Sequence, residues 1–206
     1  MENKRITLKN SWEGVTLQEF EQIEQILVSD IPEDYKLVNL LAVLSGESPS
    51  LFENLPISTF TSLVPKVMFV TQELPQVKVR DNYIINGHRY KLDANIPSIT
   101  TAQYIDYQTY MKESQIDLQK VISVFLIPEG HKYNDGYDMS EVLSDIHQMK
   151  IVDVKAIGFF IQKQSALFIL ATRSYLQKQM EGMGIPKNQI NKDLDPLNSL
   201  AFSLIA

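Results

Sequence analysis

Residues 15–20 read VTLQEF and residues 99–104 read ITTAQY. In both, a threonine stands three residues before Glu19 or Gln103, the T-x-x-E/Q spacing of a capping box. The threonine hydroxyl accepts from the N3 backbone N–H, and the N3 side chain reaches back to the threonine N–H. Val15 and Ile99 fall at N′, and Phe20 and Tyr104 at N4, so an apolar staple brackets each cap. Each stretch predicts a helix start, and the two starts lie 84 residues apart.

That offset extends outward. ITLKNSWEGVTLQEFEQI (6–23) lies over YKLDANIPSITTAQYIDY (90–107), matching Leu8 with Leu92, Trp12 with Ile96 and Ile23 with Tyr107. Without a gap, LVNLLAVLSG (37–46) then lies over VISVFLIPEG (121–130), with Gly46 on Gly130. The match is of pattern more than identity, and it predicts a duplicated strand-helix-helix unit. Each copy opens on an alternating strand, RITLKN or HRYKLD, followed by helices over 17–29 and 35–45, or 101–113 and 117–127. Gly46 suits a C-cap, and Pro128 stops the second copy earlier. Between the copies lie a helical stretch over 57–73 and a hairpin, YII–NG–HRYKL, in which Asn-Gly joins strand formers. Pairing of RITLKN with that hairpin would give a small antiparallel sheet.

The C-terminal third has a different texture. Residues 150–180 form a long apolar helical pattern, with IQKQSA as a candidate break. The segment that follows holds two glycines and two prolines before an apolar end, and reads as an extended, partly apolar tail. The expected fold is mainly α with a small antiparallel β component. Its expected parts are a first helical unit with an N-terminal strand (1–75), a hairpin with the second helical unit and the long helix (76–180), and the tail (181–206).

Bulk chemistry narrows the functional classes. The chain has 206 residues and a net charge of −6, and its Lys and Arg are scattered, which argues against a non-specific nucleic-acid grip. It has no cysteine, which excludes disulfides, thiolate metal sites and cysteine nucleophiles. Apolar runs of about eight residues fall short of the roughly 20 needed to cross a bilayer, and MENKRITLKN lacks a signal-peptide core, so the reading is of a soluble intracellular chain.

The loop EGHKYNDGYD (129–138) concentrates polar chemistry. His131, Asp135 and Asp138 are too few for structural zinc and lack the calcium-loop pattern. Asn134-Asp135-Gly136 is turn chemistry, and Asp138 with Glu141 forms a D-x-x-E helix start. His88, His131 and His147 lie in different elements, and no serine sits in a G-x-S-x-G elbow. Neither catalytic nor metal-binding nor cofactor-binding residues are assigned, and no cofactor is expected. Tyr104, Tyr107 and Tyr110 form a drifting helical stripe suited to packing, and Trp12 suits a hook between strand and first helix.

The stretches WEGVTLQEF, ITTAQYIDYQTYMK, VFLIPEGHKYNDGYD and GFFIQKQS resemble small virion or morphogenesis proteins of tailed phages infecting gut Bacteroidetes. The second opening, IPSITTAQY, lacks the tryptophan of the first, and the resemblance spans about residues 6–175. It implies a non-enzymatic virion or virion-assembly protein, located in the virion or in the host cytoplasm during assembly. Its expected partners are itself or other phage structural proteins, with neither nucleic-acid specificity nor a membrane. The expected contact residues are His131, Tyr133, Tyr137, Phe159, Phe160, Phe168, Leu200, Phe202 and Leu204. The alternatives are a metal-dependent hydrolase centred on 131–138 and a host-directed binding protein.

Overall fold

A computed structural model of the chain describes residues 6–112 and 117–204. The fold is mainly α-helical, with one three-stranded antiparallel sheet. It divides into two compact units. One comprises Met1–Lys78 with Ser140–Val154, and the other Val79–Met139 with Lys155–Ala206. The first unit is therefore discontinuous in sequence.

In the first unit a single 3-10 turn, Trp12–Gly14, leads into α1 (Leu17–Val28). Thr16 Oγ1 accepts from Glu19 N at 3.3 Å, and Glu19 Oε2 accepts from Thr16 N at 2.9 Å. Glu19 also holds Lys9 Nζ at 2.6 Å, so the cap anchors the segment before it. Residues 6–10 form no strand, which corrects the expectation for RITLKN: Lys9 donates one backbone hydrogen bond to Leu44 O instead. Then come α2 (Glu33–Ser45), closed by Gly46 at φ 71°, α3 (Pro49–Glu53) and α4 (Ile57–Val67). Trp12 is buried edge-on against Phe20 and Phe69, and its Nε1 donates to Gln72 O at 3.1 Å. It hooks the first turn to the segment after α4, farther along the chain than a strand-to-helix hook would reach.

The chain returns to this unit late. From α7 (Met139–His147), the buried Val142 and Ile146 belong to it. Immediately after, Leu17 donates to Met149 O at 2.8 Å and Ile151 donates to Val15 O at 2.9 Å. These bonds form an antiparallel bridge between Thr16 and Lys150.

The second unit opens with β1 (Asn82–Ile85) and β2 (His88–Leu92). Asn86 and Gly87 both take positive φ, 51° and 88°, as a two-residue turn matched to strand twist requires. Tyr83 pairs with Tyr90 on the buried face. A 3-10 turn, Ile96–Ser98, leads to α5 (Thr101–Met111), and both start 84 residues after their first-copy equivalents. The capping box repeats, with Thr100 N donating to Gln103 Oε1 at 2.9 Å and Gln103 N to Thr100 Oγ1 at 3.2 Å. Gln103 has no cation to hold. It is buried, and its Nε2 donates to Val124 O at 3.2 Å.

The copies part company at their second helices. α6 (Leu118–Ser123), capped by the Asp117 side chain, ends early, and Leu126–Pro128 forms β3 against β2. The third strand thus comes from the expected helix over 117–127 and not from the N-terminus. Residues 121–127 are buried without exception, so this run carries no amphipathic period to favour a helix over a strand. Pro128 is tolerated because β3 is an edge strand.

α8 (Ile151–Gly182) is unbroken for 32 residues. At the expected interruption, Lys163 faces solvent and Ser165 is buried, donating from Oγ to the Tyr107 hydroxyl at 2.9 Å. By length and composition alone this helix could cross a membrane, although no single apolar run in it suggests so, because scattered polar residues leave the helix intact. A third of its most apolar window is buried inside the protein. The segment expected as an extended tail forms α9 (Lys187–Ser203), with Pro196 exposed inside it. Ile190, Leu194 and Ala201 give α9 a buried face.

Candidate functional site

Loop 129–138 starts from the sheet, where Glu129 N donates to Arg89 O at 2.8 Å. Three residues then adopt the left-handed region: Gly130 (87°), Asn134 (59°) and Gly136 (75°). The turn closes with Asp135 N donating to Lys132 O at 3.0 Å. His131 is exposed; its Nδ1 lies 3.3 Å from the Asp135 carbonyl, and its ring meets Tyr137 edge-on at 5.8 Å. Tyr133 donates to Asp106 Oδ2 of α5 at 2.7 Å. The aromatic side chains thus tie the loop down, while His131, Lys132, Asn134, Asp135 and Asp138 present its outer surface.

Tyr133 is held well above its ordinary pKa, mainly by burial and then by the Asp106 carboxylate that its hydroxyl touches. Burial raises Tyr137 as well. Its hydroxyl makes no hydrogen bond; the Asn134 backbone favours the phenolate slightly without reaching bonding geometry. Tyr107 is raised by burial, partly offset by Ser165. These folded phenols keep their protons above pH 10, whereas the unfolded chain releases them near 10.0. Their contribution to stability is full below pH 10 and is lost as the pH rises beyond it. In an alkaline titration followed by phenolate absorbance, a late fraction that includes Tyr107, Tyr133 and Tyr137 should appear only as the protein unfolds. Tyr133→Phe should shrink that fraction by the absorbance of one tyrosine.

No three His, Asp or Glu side chains gather as metal ligands among the described residues. In the loop itself, His131 faces a backbone carbonyl. His147 lies elsewhere, with Nε2 3.6 Å from Glu21 Oε2 on α1. The tyrosine stripe splits in three: Tyr107 is buried edge-on against Phe125 at 5.2 Å, Tyr104 is exposed, and Tyr110 carries Lys120 Nζ 5.8 Å above its ring.

The other expected contact residues lie on α8 and just within or after α9. Phe159 is 59% exposed, Leu200 49% and Phe202 60%, while Phe160, Phe168 and Leu204 are half-buried. The inward face of α8 runs through Val154, Ile157, Ile161, Ser165 and Ala166 and then stops. No residue from 167 to 182 is buried, although Leu167, Phe168, Ile169, Leu170, Tyr175, Leu176 and Met180 lie there. The apolar pattern of 150–180 also puts Leu167 among residues to be buried inside or against a partner chain; it is 51% exposed, and Tyr175, which that pattern does not single out, is 62% exposed. An eight-residue step turns a helix by about 80°, so Leu167 lies between Phe159 and Tyr175, which face nearly opposite sides of α8.

Comparison with protein-family models, curated proteins and solved structures finds no significant match to this chain.

Proposed function

We propose that the chain is a non-enzymatic component of a tailed-phage particle or of its assembly, working through protein–protein contacts. The observation that supports this reading is the second half of α8, a helix rich in large apolar residues of which none is buried between 167 and 182. Large apolar side chains left open to solvent, here Leu167, Tyr175 and Leu176, are of the kind that interaction sites in soluble proteins use. The sequence resemblance supplies the particle context.

Leu167→Asp combined with Tyr175→Asp tests the contact. Both positions are exposed, so the free energy of unfolding should change by no more than about 1 kcal/mol. Self-association by light scattering, or co-purification with co-expressed particle proteins, should be lost. A wild-type chain that is strictly monomeric and captures none of those proteins would sink the proposal. So would flotation with lipid vesicles in place of protein association, since α8 is long and apolar enough to enter a bilayer.

A further inference from the structure

Charge is segregated along this chain. Residues 17–36, which span α1 and the turn into α2, hold six acidic residues and a single basic one, Lys36. Lys36 is engaged locally: its Nζ lies 2.9 Å from Glu33 Oε1 and donates to Leu27 O at 3.3 Å. Around that turn large apolar side chains stand open, with Val28 85% and Tyr35 56% exposed and Leu27 and Ile31 exposed beside them. Within α8 the sign reverses. Between Asp153 and Glu181 the charged residues are Lys155, Lys163, Arg173 and Lys178, all basic. Lys163, Leu167, Ala171, Ser174 and Lys178 are all exposed, and they follow one another at steps of three or four residues, which keeps them on one stripe of the helix. Among the described residues, none of Glu24, Asp30, Lys163 and Lys178 joins an ion pair.

We propose that the basic stripe on α8 docks on the acidic α1–α2 turn of a second copy of this chain. Leu167 and Ala171 would lie against Val28 and Ile31, and the lysines at the two ends of the stripe would face Glu24 and Asp30. The occupant follows from complementarity: each surface carries open apolar side chains, and each supplies the charge that the other lacks. Opposite charges steer the encounter and fix its orientation, while the buried apolar area supplies the affinity. Packing two α8 stripes on each other would set lysine against lysine, which disfavours a symmetric pair. The docked surfaces therefore differ, and each copy that joins leaves one of each kind open. Such a contact extends beyond a dimer, to a ring where the rotation closes and to a filament where it does not. The inference rests on the protein-contact reading above and names the partner and its seat.

The test is sedimentation velocity of the full chain at rising concentration. The wild type should grow past a dimer, and raising the salt from about 0.05 to 0.5 M should weaken the association. Two charge-reversed variants follow: Lys163→Glu with Lys178→Glu, and separately Glu24→Lys with Asp30→Lys. All four positions are exposed, so both variants should keep the wild-type melting temperature. Each alone should associate roughly tenfold more weakly or worse, because like charges then face each other. Mixed in equal amounts, the two should assemble again. The first variant keeps the acidic turn, the second keeps the basic stripe, and the altered surfaces match with their signs exchanged. A monomeric wild type, variants that associate as the wild type does, or a mixture that stays dispersed would overturn the inference. Binding of the lysine stripe to phosphatidylserine vesicles in place of self-association would overturn it as well. A monomeric wild type that still co-purifies with other particle proteins would remove this inference and leave the protein-contact reading standing.

Discussion

Ile151→Asp in the otherwise intact chain should unfold the first unit. Ile151 has no exposed surface and sits at the bridge that closes over Val15 and Leu17. An unpaired carboxylate there costs more than about 4 kcal/mol, a large part of the 5–15 kcal/mol that stabilises a typical domain. The readout is built in: Trp12, the only tryptophan, is buried in the same unit, and its emission should shift to the red. Ile151→Val, which removes one methyl group, should cost only about 0.5–1.5 kcal/mol and leave the emission in place. Unshifted emission in the aspartate variant, with a melting curve like that of wild type, would show that the returning segment is dispensable.

Phe125→Ala should destabilise the second unit by about 3–5 kcal/mol. Phe125 is fully buried and packs edge-on against Tyr107. Its N–H donates to Ile122 O at 2.9 Å and its carbonyl accepts from Asp93 at 2.8 Å, so it stands where α6 turns into β3. Truncation therefore opens a cavity beneath the junction of helix and sheet. Urea unfolding followed by far-UV circular dichroism would measure the loss, and a change below about 1 kcal/mol would mean that the site collapses around the gap.

The features legible in the sequence are those whose cause is local. Both capping boxes form at Thr16 and Thr100 because the partners are three residues apart, and the hairpin forms because Asn86 and Gly87 supply two positive φ angles. Gly46 ends α2 for the same kind of reason. β3 was not legible: VISVFLIP is apolar throughout, and only pairing with β2, some thirty-five residues earlier, selects the strand. The return of 140–154 to the first unit has no local mark at all, since its bonds to Val15 and Leu17 span more than 130 residues. Pro196 and the glycines before α9 suggest a turn-rich segment, which hides the helix in the sequence. The proline is exposed in the helix, and its buried neighbours Ile190, Leu194 and Ala201 lie at helical spacing. Within loop 129–138 the turn was readable, whereas the link from Tyr133 to Asp106 depends on a helix packed nearby and leaves no sequence trace.

The discontinuity of the first unit has a consequence for synthesis. When Lys78 has been added, the growing chain lacks Met149–Ile151, which lie some seventy residues ahead. At roughly 5–20 residues per second, that is a delay of about 4–15 s during which Val15 and Leu17 have no closing partner. Domains that complete themselves as they emerge avoid such an interval. This chain carries its first apolar core half-assembled while an intervening unit is being made, so crowding by like chains on one messenger is when it is most exposed to misassociation.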